Sequence, residues 1–168
     1  KTMPDYNPYT IKRCKDCDMN NGKMELVFVP ENELCAACKL VRELAKADAK
    51  QTRAAAKPLQ GTIIRNTHFH HDVNITGTSI REWTNQPHKH FKAKNQMLLD
   101  INNVFSNAAY LGTTDNHKGI KRVVQSHIFE VEVSGEKNLL IVREYDWGEY
   151  VLHSISDSPE LYNKIKKE

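Results

Sequence analysis

The sequence has no long hydrophobic run. No apolar stretch approaches the roughly 18 residues that a membrane-spanning helix needs, so a transmembrane segment is excluded. No signal peptide is visible, and no glycine pattern of the dinucleotide-binding kind occurs. Positive charge is also modest, with a net charge of +3 and a pI of about 8.6. A protein that binds duplex DNA by charge alone is usually more basic, so any nucleic-acid contact is expected at a local site.

The chain opens with Lys1 instead of Met, which predicts a fragment or processed product whose N-terminal context is missing. Its 168 residues are 39% hydrophobic and 27% charged, a composition that predicts a packed core and not a disordered chain. This length suits one domain, or one small domain with an appendage. We predict an appended element with a connecting helix over residues 1–60 and the main domain over 61–168.

Cysteine is absent after residue 38, and the four that occur form two C-x2-C pairs separated by seventeen residues. Two such pairs can supply the four thiolates of a closed, tetrahedral, structural Zn²⁺ site. Two disulfides or four incidental thiols are the alternatives, and disulfides would need an oxidising compartment. The spacing predicts one structural Zn²⁺ held by Cys14, Cys17, Cys35 and Cys38.

Around these cysteines, residues 24–30 are rich in strand formers and predict a short strand. Residues 34–57 are rich in Ala, Leu, Lys and Glu and predict a helix that ends before Pro58. Further on, residues 62–65 and 73–76 predict short strands on either side of a polar cluster. That cluster predicts a loop, with a second metal site as the alternative; its members are His68, His70, His71 and Asp72.

A helix is predicted to begin near Pro87, because apolar residues from Met97 to Ala108 recur at intervals of three and four. Residues 110–119 predict a loop. Alternation from Val123 to Val133, the turn Ser134–Gly135 and the apolar segments 139–145 and 150–155 predict three antiparallel strands. A short helix should follow Pro159.

Several polar residues interrupt these apolar patterns. His90 and Lys94 continue the face of apolar positions backward onto the first turns of the helix. A helix N-terminus also favours a bound anion such as phosphate. The alternative is a basic first turn exposed to solvent. His127, Arg143 and Ser154 interrupt the three strands. Histidine transfers protons near neutral pH, and Lys and Arg stabilise charge on a phosphate. These residue types suffice for metal-free RNA cleavage by a 2′-hydroxyl.

Residues from about 75 to 156 resemble the phage barnase–EndoU–colicin–RelE-like nuclease domains, which occur as C-terminal toxin domains of phage Mu-type minor head proteins. The order of one helix followed by three strands agrees with that resemblance. Six segments carry it: Ile80–His90, Lys94–Asn95, Asn107–Gly112, Ser126–Phe129, Ile141–Arg143 and Val151–Ile155.

The resemblance implies an α+β fold in which a small antiparallel sheet packs on helices. It implies a metal-independent endoribonuclease toxin with a cellular RNA substrate such as tRNA. An immunity protein, phage head proteins joined through a missing N-terminal region, and a location in the virion or bacterial cytoplasm follow from the same resemblance. The implied catalytic residues are His88, His90, Lys94, His127, Arg143 and Ser154.

Two other functions stay open at this stage: a non-catalytic virion or nucleic-acid-binding module with a zinc ribbon, and a transferase toxin such as an ADP-ribosyltransferase. The nuclease hypothesis makes a geometric prediction. Arg143 should pair with Val151 across the turn near Trp147. His90, Arg143 and Ser154 should then face one cleft, with His127 lining it.

Overall fold

A computed structural model of the chain describes residues 9–12, 27–30, 36–85, 89–116 and 118–166. Among the described helices, none is long and apolar enough to cross a membrane. The elements are β1 (Tyr9–Lys12), β2 (Val27–Pro30), α1 (Ala36–Ala56), β3 (Ile63–Asn66), β4 (Phe69–Asn74), α2 (Gly77–Thr84), α3 (Phe91–Leu99), α4 (Ile101–Asn107), β5 (Ala109–Asp115), β6 (Val123–Val133), β7 (Glu136–Tyr145), β8 (Tyr150–Ser156) and α5 (Pro159–Lys164).

The fold is mixed α+β with a sheet packed against helices, as predicted, but the sheet has six strands and is not wholly antiparallel. The strands lie in the order β3-β4-β8-β7-β6-β5, and all neighbours are antiparallel except β4 and β8, which run parallel. The β1–β2 pair forms a separate two-stranded sheet.

The predicted meander of β6, β7 and β8 is confirmed. Ser134 and Gly135 form its first turn with positive φ angles of 49° and 81°, as a tight two-residue hairpin requires. The second turn brings Arg143 opposite Val151, as predicted. Period-two alternation along these strands therefore located the centre of the sheet correctly.

The sheet has two unlike faces. The core face, defined by Phe129, Leu140 and Ile155 lying side by side, packs against Trp83, Phe105 and other residues of the helices. The second face is defined by Ser126, Ile141 and Arg143, which alternate with core residues along β6 and β7. Because register fixes the face of every side chain, the chemistry carried by each face can be assigned by residue.

The C-terminal segment covers part of the second face. From β8 it runs through α5, where the Tyr162 hydroxyl donates to Glu130 on β6 at 3.0 Å. It then reaches the far edge of the sheet, where Lys166 exchanges two backbone hydrogen bonds with Thr113 on β5. The space left under this segment is the cavity described below.

Four sequence predictions are wrong in this region. The cluster from His70 to Asp72 lies in β4 and not in a loop, because pairing with β3 sets its conformation. Residues 110–115 form β5 by pairing with β6, in place of the predicted loop. No helix was predicted where α2 occurs. The long helix predicted from Pro87 is two helices that begin at Phe91 and at Ile101 and are separated at Asp100.

Replacement of Gly112 by alanine is expected to destabilise the fold by about 2 kcal/mol or more. Gly112 has a φ of 137°, and an added Cβ would overlap the carbonyl oxygen of Lys166. Gly119→Ala is the matched control, because Gly119 also has a positive φ, of 60°, but has open space around it. Urea unfolding should show a clearly larger loss for Gly112→Ala. Equal losses would contradict the close approach of the C-terminal segment.

Candidate functional site

The predicted catalytic residues lie at three separate places. His90 and Lys94 lie on or beside α3, His127 lies on the core face of the sheet, and Arg143 and Ser154 lie on the second face. His88 is outside the described residues. Each place has its own hydrogen-bonding groups.

The α3 group is an ion-pair cluster. His90 Nε2 lies 3.1 Å, and Lys89 Nζ 3.0 Å, from the same oxygen of Glu136, the first residue of β7. Lys94 is only 2% exposed, and its Nζ lies 3.9 Å from Asp157. Burial lowers the pKa of Lys94, although the charge of Asp157 opposes that shift. The cluster ties α3 to the end of the sheet.

His127 is part of a buried hydrogen-bonded chain. Its Nε2 lies 2.7 Å from Glu144 Oε1, and its Nδ1 lies 2.9 Å from the Tyr110 hydroxyl. Burial of Glu144 works against its charge, but hydrogen bonds from His127 and Gln125 outweigh burial and lower its pKa. Both ring nitrogens of His127 are thus engaged, and its ring packs 4.8 Å from that of Phe69. This arrangement holds the ring in place within the core.

The second face carries a cavity of about 330 Å³ between the sheet, α5 and the segment 118–123. Thr114, Ser126 and Arg143 lie side by side across β5, β6 and β7 and form its floor. His153 and Ser156 add to the floor from β8. Two lysines and two carboxylates also line the cavity: Lys118, Lys164, Asp115 and Glu160. The carboxylate of Asp115 is paired with Lys166. We call this the Arg143 cavity.

Arg143 is the principal charge on the floor of this cavity. Its side chain is half-buried, and its guanidinium has no hydrogen bond or ion pair with any residue that the structure describes. A half-buried guanidinium without an acidic partner retains its five N–H donors for an anion. Hydroxyls of Ser126 and Ser156 line the same cavity and can donate to the same anion. The arrangement is suited to a phosphate group.

His153 supplies an imidazole to the same cavity. It is the extra residue of a β8 bulge, because Ser154 pairs with Ile141 while Leu152 pairs with Val142. Burial, together with the charges of Arg143 and Lys118, lowers the pKa of His153 to about 4 against the opposing charge of Glu82. The imidazole is therefore neutral at pH 7 and able to accept a proton.

The predicted common cleft is wrong. His90 contacts Glu136, which alternation along β7 places with the core face, whereas Arg143 lies on the second face. Arg143 lies seven positions after Glu136 on the same strand, or about 23 Å away at the strand rise. His127 faces the core and does not line the Arg143 cavity. One phosphate cannot contact His90, His127 and Arg143 together.

Ser154 shares the second face with Arg143, but it is buried opposite Ile141, and it is Ser126, His153 and Ser156 that line the cavity. Sequence reasoning missed these three as site residues. The signal for His153 was present, since it stands beside Ser154 in a strand of otherwise apolar residues. The β8 bulge, which turns the imidazole toward Arg143, was not visible in the pattern.

No group of three or more metal-ligating side chains occurs within the described residues. In the predicted alternative metal cluster, Asp72 pairs with Arg65 at 2.6 Å and His71 stacks on Tyr150 at 4.2 Å. These partners account for two of its members. Of the four cysteines, only Cys38 lies within the part of the chain whose side chains are described, and it is fully buried near the start of α1.

The low pKa of His153 predicts a pH-dependent stability. The unfolded histidine binds its proton near pH 6.5, whereas the folded one does so near pH 4. Stability due to the neutral imidazole should therefore be full above pH 6.5 and fall as the pH decreases to 4. Because solvent partly screens the imidazole, we expect the free energy of unfolding to fall by about 2 kcal/mol over this pH range. Urea unfolding of wild type and His153→Gln should show a smaller acid loss in the variant, and parallel losses would contradict the shift.

No curated protein and no solved structure matches the chain. The family model described as large polyvalent protein-associated domain 3 matches residues 43–161, which is more than half of the chain. The match includes Arg143 and His153, whereas nuclease activity and the roles of the predicted residues stay predictions. The extent of the match shows that the chain belongs to the large polyvalent protein-associated domain 3 family.

Proposed function

We propose that the protein is a metal-independent endoribonuclease and that the Arg143 cavity is its active site. The observation that carries the proposal is the position of Arg143, half-buried without a hydrogen-bonded partner among the described residues, in one cavity with the neutral imidazole of His153. Strand segments of the nuclease resemblance supply Ser126, Arg143 and His153. Their meeting in one cavity supports RNA as the substrate.

The proposed reaction uses each group for one task. Arg143 binds the phosphate between two nucleotides and stabilises the negative charge that develops on its oxygens. His153 accepts the proton of the neighbouring 2′-hydroxyl, whose oxygen then forms a bond to phosphorus. The bond from phosphorus to the 5′-oxygen breaks, and this oxygen takes a proton from water. The products are a 2′,3′-cyclic phosphate and a 5′-hydroxyl.

The low pKa of His153 is compatible with this role because a bound substrate would raise that pKa. Burial lowers that pKa most, and positive charge from Arg143 and Lys118 adds to the shift in the free protein. A bound phosphate offsets those charges, so it should raise the pKa of His153 toward the working pH. A general base is most effective there.

Cleavage of total cellular RNA in Mg²⁺-free buffer with EDTA tests the proposal, with circular dichroism to check that the fold is retained. The purified protein should produce defined fragments, and replacement of Arg143 should stop their formation. Binding of RNA without cutting would favour the non-catalytic nucleic-acid-binding module. Mapping the cut ends would identify the RNA target, such as tRNA. A toxin role, with an immunity protein and phage head proteins as partners, is part of the same proposal.

The four cysteines are proposed to bind one structural Zn²⁺. Cys38 is fully buried near the start of α1, as a ligand that ties a helix to a metal should be. The thiolates would hold the ion in a closed set, which leaves no position for a substrate. Metal analysis should find about one zinc per chain, and acidification should release it as the thiolates take up protons. A folded, zinc-free protein with four reactive thiols would contradict this site.

A further inference from the structure

An exposed aromatic group lies at the end of β7, a few residues beyond Arg143. The Trp147 ring stacks on that of Tyr145 with 4.6 Å between centres and 27° between planes. Arg122 Cζ lies 5.1 Å from the centre of the Trp147 ring. More than half of the Trp147 side chain, 53%, is nevertheless exposed, whereas the chain's other tryptophan, Trp83, is 1% exposed. We call Tyr145, Trp147 and Arg122 the aromatic ledge.

Neighbouring groups fix the ledge in position. Asp146 accepts from Arg122 Nε at 3.1 and 3.3 Å, and the Asp146 amide donates to the Arg122 carbonyl at 2.8 Å. Glu149 accepts from the indole N–H at 3.1 Å. Arg122 itself has a positive φ of 69°, a conformation that costs a non-glycine residue about 1–2 kcal/mol. The chain thus holds an exposed indole in place at some cost in backbone strain, a combination found at binding sites.

The ledge follows Arg143 along the chain at the end of β7. Tyr145 is two residues after Arg143 on β7, so both side chains leave the strand on the same side. Val123 lines the cavity and pairs with Tyr145 across β6 and β7. A ligand whose phosphate lies at Arg143 would therefore reach the ledge with its next chemical group.

We propose that the aromatic ledge binds an unpaired nucleobase of the RNA whose phosphate is bound at Arg143, which makes single-stranded RNA the substrate class. This inference rests on the proposed function. Every base has a flat face that can stack on an indole, and a base in a duplex already has its faces covered by its neighbours. The positive charges of Arg122 and Arg143 attract the backbone on either side of that base.

Tryptophan fluorescence tests the proposal, because Trp147 is the exposed one of the two tryptophans. The probe is a single-stranded oligoribonucleotide with methylated 2′-hydroxyls, which cannot be cut through those groups. It should quench the fluorescence of wild-type protein, and the same oligonucleotide in a duplex should not. Because the reporting indole is absent from Trp147→Ala, the affinities of all variants are compared by the anisotropy of an end-labelled probe, and Trp147→Ala should bind the single strand about tenfold more weakly. Trp147→Phe keeps a stacking ring and should retain most of the affinity.

Leu99→Ala is the matched control, since Leu99 is an exposed apolar residue, 44% accessible, at the end of α3. It should bind the probe like the wild type. If the wild type cuts RNA but Trp147→Ala binds the probe as tightly as the wild type, the proposed role of the ledge is wrong. That result would leave the proposed nuclease unaffected. Quenching that depends on Trp147 without any RNA cutting would support the ledge and overturn the proposed nuclease. Equal quenching by single strand and duplex would also overturn the ledge.

Discussion

Replacement of Arg143 by alanine is expected to reduce RNA cleavage by about 10²–10⁴-fold while the protein stays folded. The guanidinium lines the cavity without an ionic partner among the described residues, so its removal breaks no ion pair within that part of the chain. It does remove the guanidinium charge that a phosphate on the cavity floor would contact. Initial cleavage rates and thermal unfolding of the same preparations would measure both effects.

Arg65→Ala is the matched control for this variant. Arg65 is an arginine on β3 with an exposed side chain, paired with Asp72 at 2.6 Å, and it does not line the Arg143 cavity. Its replacement should leave the cleavage rate within about twofold of the wild type, because exposed ion pairs contribute little. Arg143→Lys should recover part of the activity, since a lysine keeps the charge but loses the forked donors. If Arg143→Ala cleaves RNA at the wild-type rate, the cavity is not the active site.

Replacement of His153 by alanine is expected to have an effect of similar size, about 10²–10⁴-fold on the cleavage rate. The pH dependence gives this variant a signature that a structural role would not produce. In wild-type enzyme, kcat/KM should fall on acidification with the pKa of the free protein, about 4. For kcat the fall should occur at higher pH, because bound phosphate offsets the charges of Arg143 and Lys118.

The acid limb should disappear in His153→Ala, and the residual rate should be nearly independent of pH in this range. His127→Gln is the matched control, because His127 is a buried histidine whose ring nitrogens face Tyr110 and Glu144 in the core. That variant should lose stability, and its remaining folded molecules should keep the acid limb. An unchanged pH profile in His153→Ala would show that another group is the base.

The centre of the fold could be predicted because it depends on periodicity. Alternation in β6 and the turn at Ser134 and Gly135 determine register, and register brought Arg143 opposite Val151 as expected. The edges could not be predicted in the same way. The pattern of residues 110–115 predicts a loop, since glycine and aspartate in the segment favour turns, but pairing with β6 makes them a strand. Tertiary pairing overrode local preference there.

The residue types of the site could be predicted, but which of these residues lie together could not. An arginine at the end of four aliphatic residues marked Arg143, and the structure places it in a cavity. His90 and His127 interrupt apolar patterns in the same way, but they lie on the opposite side of the sheet from Arg143. The face of a strand residue follows from alternation, so the core neighbours of His127 already indicated its direction. His153 required the bulge in β8, which depends on pairing and not on sequence pattern.

The chemistry of the cut ends distinguishes the proposed reaction from other routes of RNA cleavage. A defined single-stranded RNA would be incubated with wild-type protein and with Arg143→Ala in Mg²⁺-free buffer containing EDTA, and the fragments analysed by mass. Fragments from the wild type should end in 2′,3′-cyclic phosphate and begin with 5′-hydroxyl, and Arg143→Ala should yield almost none. Intact RNA bound to folded wild-type protein, or fragments with 5′-phosphate ends that require added metal, would contradict the proposed reaction.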